Sequence, residues 1–417
     1  MSSLMLMRLT AVAALVCLTA CGGGGGSSDS ATSGDGGGGS TGGGGNTGGG
    51  GNTGGGGGDT GGGGNGGGGG SGVSLQDSIS AGVDFTVALR ANGLPIAWGD
   101  NALGQLGGGA PLDGSSARTV DTVPSASVSA GIYGAQALTS AGTATGWGRN
   151  ATGWLGGEVP LMGDSTVSVP RSVPWGDKIK QVQADPAGLS MALRTDGSVW
   201  FLPGISEAGT TLGVTVVSPQ RVAGLSDVIQ LSTGPGLHHA VKSDGTVWRI
   251  DTTWGSGSAT QVLGVTGVIK AACAPAHCLG LRADGTVLEW GTNLNGTLID
   301  GTPYNDQPVV VDGLSGVTQV AVAGTGSVAL TSSGQVLTWG EAEVTGRAGT
   351  TAPEATPTAL PGLSGVQAVS CGPSHCVVRR DDGSVWGWGA NNKGQLGTGT
   401  LSAVELAPVQ AVGVNLN

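Results

Sequence analysis

The chain has 417 residues, 87 of them glycine, with 11% charged residues and a net charge of −11. Lys and Arg are nowhere clustered. A phosphate backbone is held by clustered cations that release counterions, so nucleic acid is excluded as an expected partner.

In chain order, Arg8 precedes an apolar run over residues 9–20. That run is too short to span a bilayer and has the length of an export-signal core. Leu18-Thr19-Ala20-Cys21 resembles the lipobox of bacterial lipoproteins. The resemblance implies a signal peptide over residues 1–20 and a lipid on Cys21. Gly22 follows, where Asp is the usual inner-membrane retention signal, so the expected location is the outer membrane, on its periplasmic or cell-surface side. Residues 21–72 are mostly Gly with Ser, Thr, Asn and Asp. They cannot bury enough apolar area to offset ordering entropy, and read as a disordered tether of roughly 40 Å r.m.s. span.

Residues 73–417 have ordinary globular composition and one repeated pattern. An alternating apolar run ("VTQVAVAG") is followed by a second short run ("SMALR") and a "TDG"-type hairpin turn. A third run ("SVWGWG") and polar loops complete the unit. The turn glycines fall at Gly93, Gly142, Gly197, Gly245, Gly285, Gly334 and Gly383, spaced by 49, 55, 48, 40, 49 and 49 residues. Such a period marks a repeat architecture. Short alternating runs bounded by Gly, Pro, Asn and Asp are strands. The expected fold is all-β, a seven-bladed β-propeller of four-stranded blades. The units run roughly over 78–125, 126–178, 179–227, 228–267, 268–316, 317–365 and 366–417.

Five residues beyond the turn glycine stand Trp98, Trp147, Trp290, Trp339 and Trp388, with Leu202 and Ile250 in units three and four. A column that demands apolar bulk belongs between blades. The glycine-rich loops after it ("AWGDNALGQLGGG", "GWGRNATGWLGG", "GWGANNKGQLGTG") then read as joints between blade strands rather than as ligand loops. These motifs, with "VSCGPSHCVVRRDDGSVW", resemble the regulator of chromosome condensation repeat across residues 73–417. The resemblance implies a seven-bladed propeller. The tail "LAPVQAVGVNLN" resembles the strand that begins a following blade, and is expected to pair beside residues 74–81 to close the ring.

Chemistry is sparse. "CAPAHC" (Cys273, Cys278) and "CGPSHC" (Cys371, Cys376) read as local disulfides in an exported protein. The rival is a Cys–His metal site, for which each segment offers two thiols and one imidazole and no fourth ligand. His277 and His375 share a structural column, and His238 and His239 lie just beyond it. Arg90, Arg194, Lys242, Arg282 and Arg380 form a basic column, most simply solvated turn tips. Arg379 stands where the other units have Leu or Val. No metalloprotease, Walker or nucleophile-elbow motif occurs in the globular part, and no enzyme, cofactor or metal is expected. Trp154, Trp175, Trp254, Tyr133 and Tyr304 lie in loops or loop margins and are the expected binding anchors. The function expected is a monomeric, non-catalytic, envelope-anchored propeller binding a protein or polysaccharide through one face. Alternatives are a β-lactamase inhibitor, guanine nucleotide exchange implied only by the family, and an enzyme sited in the central channel.

Overall fold

The computed structural model describes residues 75–417 apart from 110–113, 152, 161–165, 186–188, 204–213, 235–236, 254–255, 293–303 and 350–351. The expected signal peptide, the lipidated Cys21 and the Gly-rich tether lie outside the described residues, as does Trp254. No described helix is long and apolar enough to cross a membrane.

Seven antiparallel sheets of four strands follow one another along the chain. Blade one is Ile79–Ala81, Phe85–Leu89, Pro95–Gly99 and Gly114–Thr119. Blade seven is Val366–Cys371, His375–Arg380, Ser384–Asn391 and Ser402–Asn415. The first strands of the five blades between are Ser127–Ala130, Ile179–Ala184, Val228–Gly234, Val268–Cys273 and Val317–Ala323. Each first strand touches the first strands on either side, and the last touches the first, so together they line a central axis. The alternating pattern that marks them as strands turns successive side chains to opposite faces, toward the two neighbouring blades: Ile79 and Ala81 pack against blade seven, and Ser80 reaches Ala130 of blade two.

The core is divided into seven apolar clusters, each between two neighbouring blades. The column of apolar bulk falls in them as its composition demands. Trp98 lies between blades seven and one, Trp147 between one and two, Leu202 between two and three, and Ile250 between three and four. Trp290, Trp339 and Trp388 fill the remaining three interfaces.

The tail does not pair beside the first strand of blade one. Ser402–Asn415 is the fourth strand of blade seven, registered on Ser384–Asn391. Its Ala411 and Val414, with Leu416 just beyond it, pack directly into the interface with blade one. Closure is therefore made by packing, helped by the Ala91 amide donating to the Leu416 carbonyl at 2.7 Å. An additional hairpin was not expected: Gly157–Pro160 pairs with Val214–Val217, joining the long loops of blades two and three.

Candidate functional site

Strand direction sorts the connections onto two faces. Where the first strands begin, the chain makes the tight Asp-Gly turns and the links from one blade to the next. Where they end, it makes the first-to-second turns and the long connections from third to fourth strand, such as those between Gly99 and Gly114 and between Gly340 and Glu354. The second face carries the mouth of the axial channel, a cavity of about 140 Å³. Ser80, Ser129, Gln183, Thr233 and Ser370 line it, with small residues and Cys273 and Cys371, and no acid, lysine, arginine or histidine stands among its lining residues. Such a mouth offers hydroxyls and amides for hydrogen bonding.

The glycine-rich loops start on this face and are internally braced. The side-chain oxygens of Asn101, Asn150 and Asn391 accept from the amides of Leu106, Leu155 and Leu396, five residues on. The loop then receives the next blade's indole: Trp147 Nε1 donates to the Gln105 carbonyl at 2.7 Å, and Trp98 Nε1 to that of Gln395 at 2.9 Å. A Cβ on Gly107 would stand 2.8 Å from the Trp147 ring, and the backbone there has φ +63°. Both facts require glycine. The recurring loop is a socket for the neighbouring tryptophan.

The expected anchors divide. Trp154 and Trp175 are 2% and 1% exposed and belong to the core between blades two and three, so neither is a surface anchor. Trp154 stands where the other loops carry Gln105 and Gln395, and turns inward into the cluster that also holds Val217 of the extra hairpin. Trp175 fills the interface where blade three has only Leu202, and its Nε1 donates to Gln136 Oε1 at 3.0 Å. Tyr133 is partly buried, packs on the same cluster, and has the Arg149 guanidinium 5.7 Å above its ring. Tyr304 begins the fourth strand of blade five, opposite Thr292. Trp254, outside the described residues, lies in the sequence between the third and fourth strands of blade four.

The basic column is engaged in the fold. Arg194 donates to the Trp175 carbonyl, Arg282 to that of Thr266 and Arg380 to that of Ser364. Arg90 reaches Thr119, and Lys242 lies 3.9 Å from Asp244. Arg379 is buried and donates to the Leu416 carbonyl and Asn417 Oδ1, so its departure from Leu or Val serves the chain end.

The histidines are interior. His375 Nε2 lies 3.0 Å from Thr86 Oγ1 of blade one, and His277 Nε2 2.7 Å from Ser327 Oγ of blade six. Burial pushes His375 down to about 3 and His277 to about 4. His238 is also pushed to about 4 by burial, against the pull of Asp251. Both cysteine pairs are disulfides, Cys273–Cys278 and Cys371–Cys376. Sequence reasoning missed Glu289, fully buried and accepting from Trp339 Nε1 at 3.2 Å. A lone Glu within "TVLEWG" gives no signal of its partner 50 residues on.

Comparison with known proteins agrees with this geometry. The Regulator of chromosome condensation (RCC1) repeat matches residues 366–395 and, in a second description, 382–415, which together are blade seven. The chain folds as a seven-bladed β-propeller of the RCC1 kind, and its seventh blade matches the RCC1 repeat. Prp20p from Saccharomyces cerevisiae superposes with TM-score 0.64 at 20% identity, over 82% of this chain and 87% of its own. The crystal structure of Kap60 bound to yeast RCC1 (Prp20) holds a chain with TM-score 0.64 and 18% identity, covering 82% of this chain and 88% of that one. Human WBSCR16 matches with TM-score 0.62 at 21% identity, over 76% and 93%. No curated protein matches in sequence. At these identities the likeness shows the fold alone, an RCC1-like propeller.

Proposed function

We propose that this propeller is a non-catalytic module that binds a protein or a polysaccharide through the face bearing the long third-to-fourth-strand connections. The observation that carries this reading is the asymmetry of the two faces. The long connections and the polar channel mouth share one face. On the other, turns are short and the basic side chains are taken up by backbone carbonyls and neighbouring side chains. Rigid scaffolds that concentrate irregular connections on one side commonly bind there. The channel lining, without an acid or base, supports a binding rather than an enzymatic reading.

The chain enters the propeller at Leu75–Asp77, beside the start of the first strand and on the short-turn side. An N-terminal lipid anchor, the reading that the residues around Cys21 suggest, is compatible with long loops left free. Guanine nucleotide exchange, implied only by the family resemblance, is not proposed, because the likeness is one of fold.

The test is a pull-down from envelope extract with the immobilised protein. The Trp254→Ala/Tyr304→Ala variant should release the captured protein or sugar, and the Arg90→Ala/Arg282→Ala variant should retain it. The reverse result would overturn the face assignment, and an empty capture by the parent protein would count against the binding reading.

A further inference from the structure

The sequence offers His277 as the imidazole beside the Cys273–Cys278 pair. The structure turns that ring away, toward Ser327 of blade six. A different histidine faces the sulfurs from the other side. His239, in the second strand of blade four, brings Nε2 to 4.0 Å from Cys278 Sγ across the blade interface. All three residues are buried, and their ligand atoms lie within 4.8 Å of one another. His239 Nδ1 is buried and has no hydrogen-bond partner among the described residues, so no bond there fixes the ring in another use.

We propose that, once the Cys273–Cys278 disulfide is reduced, these cysteines and His239 form a three-coordinate site for cuprous copper. The reductant is a dithiol. It passes two electrons and two protons to the two sulfurs, breaking the S–S bond, and is itself oxidised to a disulfide. Cys273 lines the channel mouth, which gives the reductant a route. On binding, each thiol gives up its proton and the neutral imidazole keeps its own on the nitrogen that does not bind metal.

The geometry needs little rearrangement. With metal–sulfur bonds near 2.3 Å and metal–nitrogen bonds of about 2.0–2.1 Å, a flat three-coordinate ion holds S and N about 3.8 Å apart. The Cys278–His239 distance of 4.0 Å already meets this. The two sulfurs must separate, and the strand pairing that sets Cys273 opposite Cys278 does not depend on the covalent bond. Two thiolates and an imidazole are a soft donor set. Zinc in a closed site takes four ligands. Among the described residues no fourth His, Cys, Asp or Glu joins this group.

The molecule contains its own control. Cys371 and Cys376 form the same hairpin disulfide one blade pair further on. There the neighbouring blade's second strand places Val328 in the apolar cluster with Cys376, at the position corresponding to His239.

The experiment uses two full-length chains, one retaining only Cys273 and Cys278 and the other only Cys371 and Cys376, the remaining cysteines being serine. Both are reduced with a dithiol, freed of it without oxygen, and titrated with Cu(I) against a chromogenic chelator. The first chain should bind one equivalent at least tenfold more tightly than the second, and X-ray absorption should show two sulfurs and one nitrogen. His239→Val in the first chain should lose the nitrogen and fall to the affinity of the second. Equal affinity of the two pairs, or a nitrogen that survives His239→Val, would overturn the site. Should the valine variant not fold, shown by loss of the tryptophan near-ultraviolet circular dichroism, the comparison of the two cysteine pairs still decides.

Discussion

His238, His239 and His277 are each pushed by burial to about 4, and His375 to about 3. An unfolded chain takes up those protons near pH 6.5, whereas the folded chain refuses them until pH 4 or below. Their contribution to stability is thus complete above pH 6.5 and is lost as pH falls toward 4. At pH 5 each buried imidazole costs the fold about 1–2 kcal/mol relative to neutral pH. Asp196, Asp244, Asp284 and Asp382 are held low by bonds from the Ser or Thr two residues on, and their effect is lost only below this window. Urea unfolding should therefore show a steep fall in stability from pH 7 to pH 5, and His375→Gln should flatten that slope by about a quarter. An unchanged slope in the variant would mean that His375 is not neutral in the fold. Residues whose environment is local were read correctly from sequence. The Asp-Gly turns are cases; the five tryptophans of the packing column pack across blades and were legible only because their position repeats. Trp154 differs from the expectation because its neighbours Ala192, Leu202 and Val217 belong to blade three and the extra hairpin, far along the chain.

At the scale of the element, the glycine-rich loop was legible as a joint because its Trp, Asn and Gly positions repeat. Its exact work was not, since the indole it receives belongs to another blade. Gly397 makes the dependence testable. Its backbone has φ +70°, and an added Cβ would lie 3.0 Å from Trp98 Nε1 and 3.2 Å from Ala411 Cβ. Gly397→Ala should destabilise the protein by about 1–3 kcal/mol, through backbone strain and displacement of the indole. The measurement is urea unfolding followed by tryptophan fluorescence. A change below about 0.5 kcal/mol would show that the loop yields. The same limit explains His239: the ring sits one blade away from the cysteines it faces, and "LHHAVK" carries no mark of that neighbour.

At the scale of the whole molecule, the inner strands are stapled by side chains. Ser80, Ser129, Ser232 and Ser370 accept from the amides of Ala130, Ala184, Cys273 and Ala81 on neighbouring blades. Gln181, Gln230 and Gln319 bridge to backbone groups of Leu231, Ala271 and Val369. Seven blades were legible from the spacing alone, whereas these staples were not, because an inward-facing Ser or Gln looks like any exposed polar residue of an alternating strand. The way the ring closes has a mechanical consequence. Every blade is one uninterrupted stretch of chain, and blade seven keeps its fourth strand for itself. No strand is lent across the seam to act as a latch. Pulled by its two ends, the protein should come apart at that seam and then shed blades singly. Each step should lengthen the chain by about 15–18 nm, the reach of some fifty residues. Force spectroscopy showing one all-or-none rupture would instead mean that the seven interfaces share load as a unit.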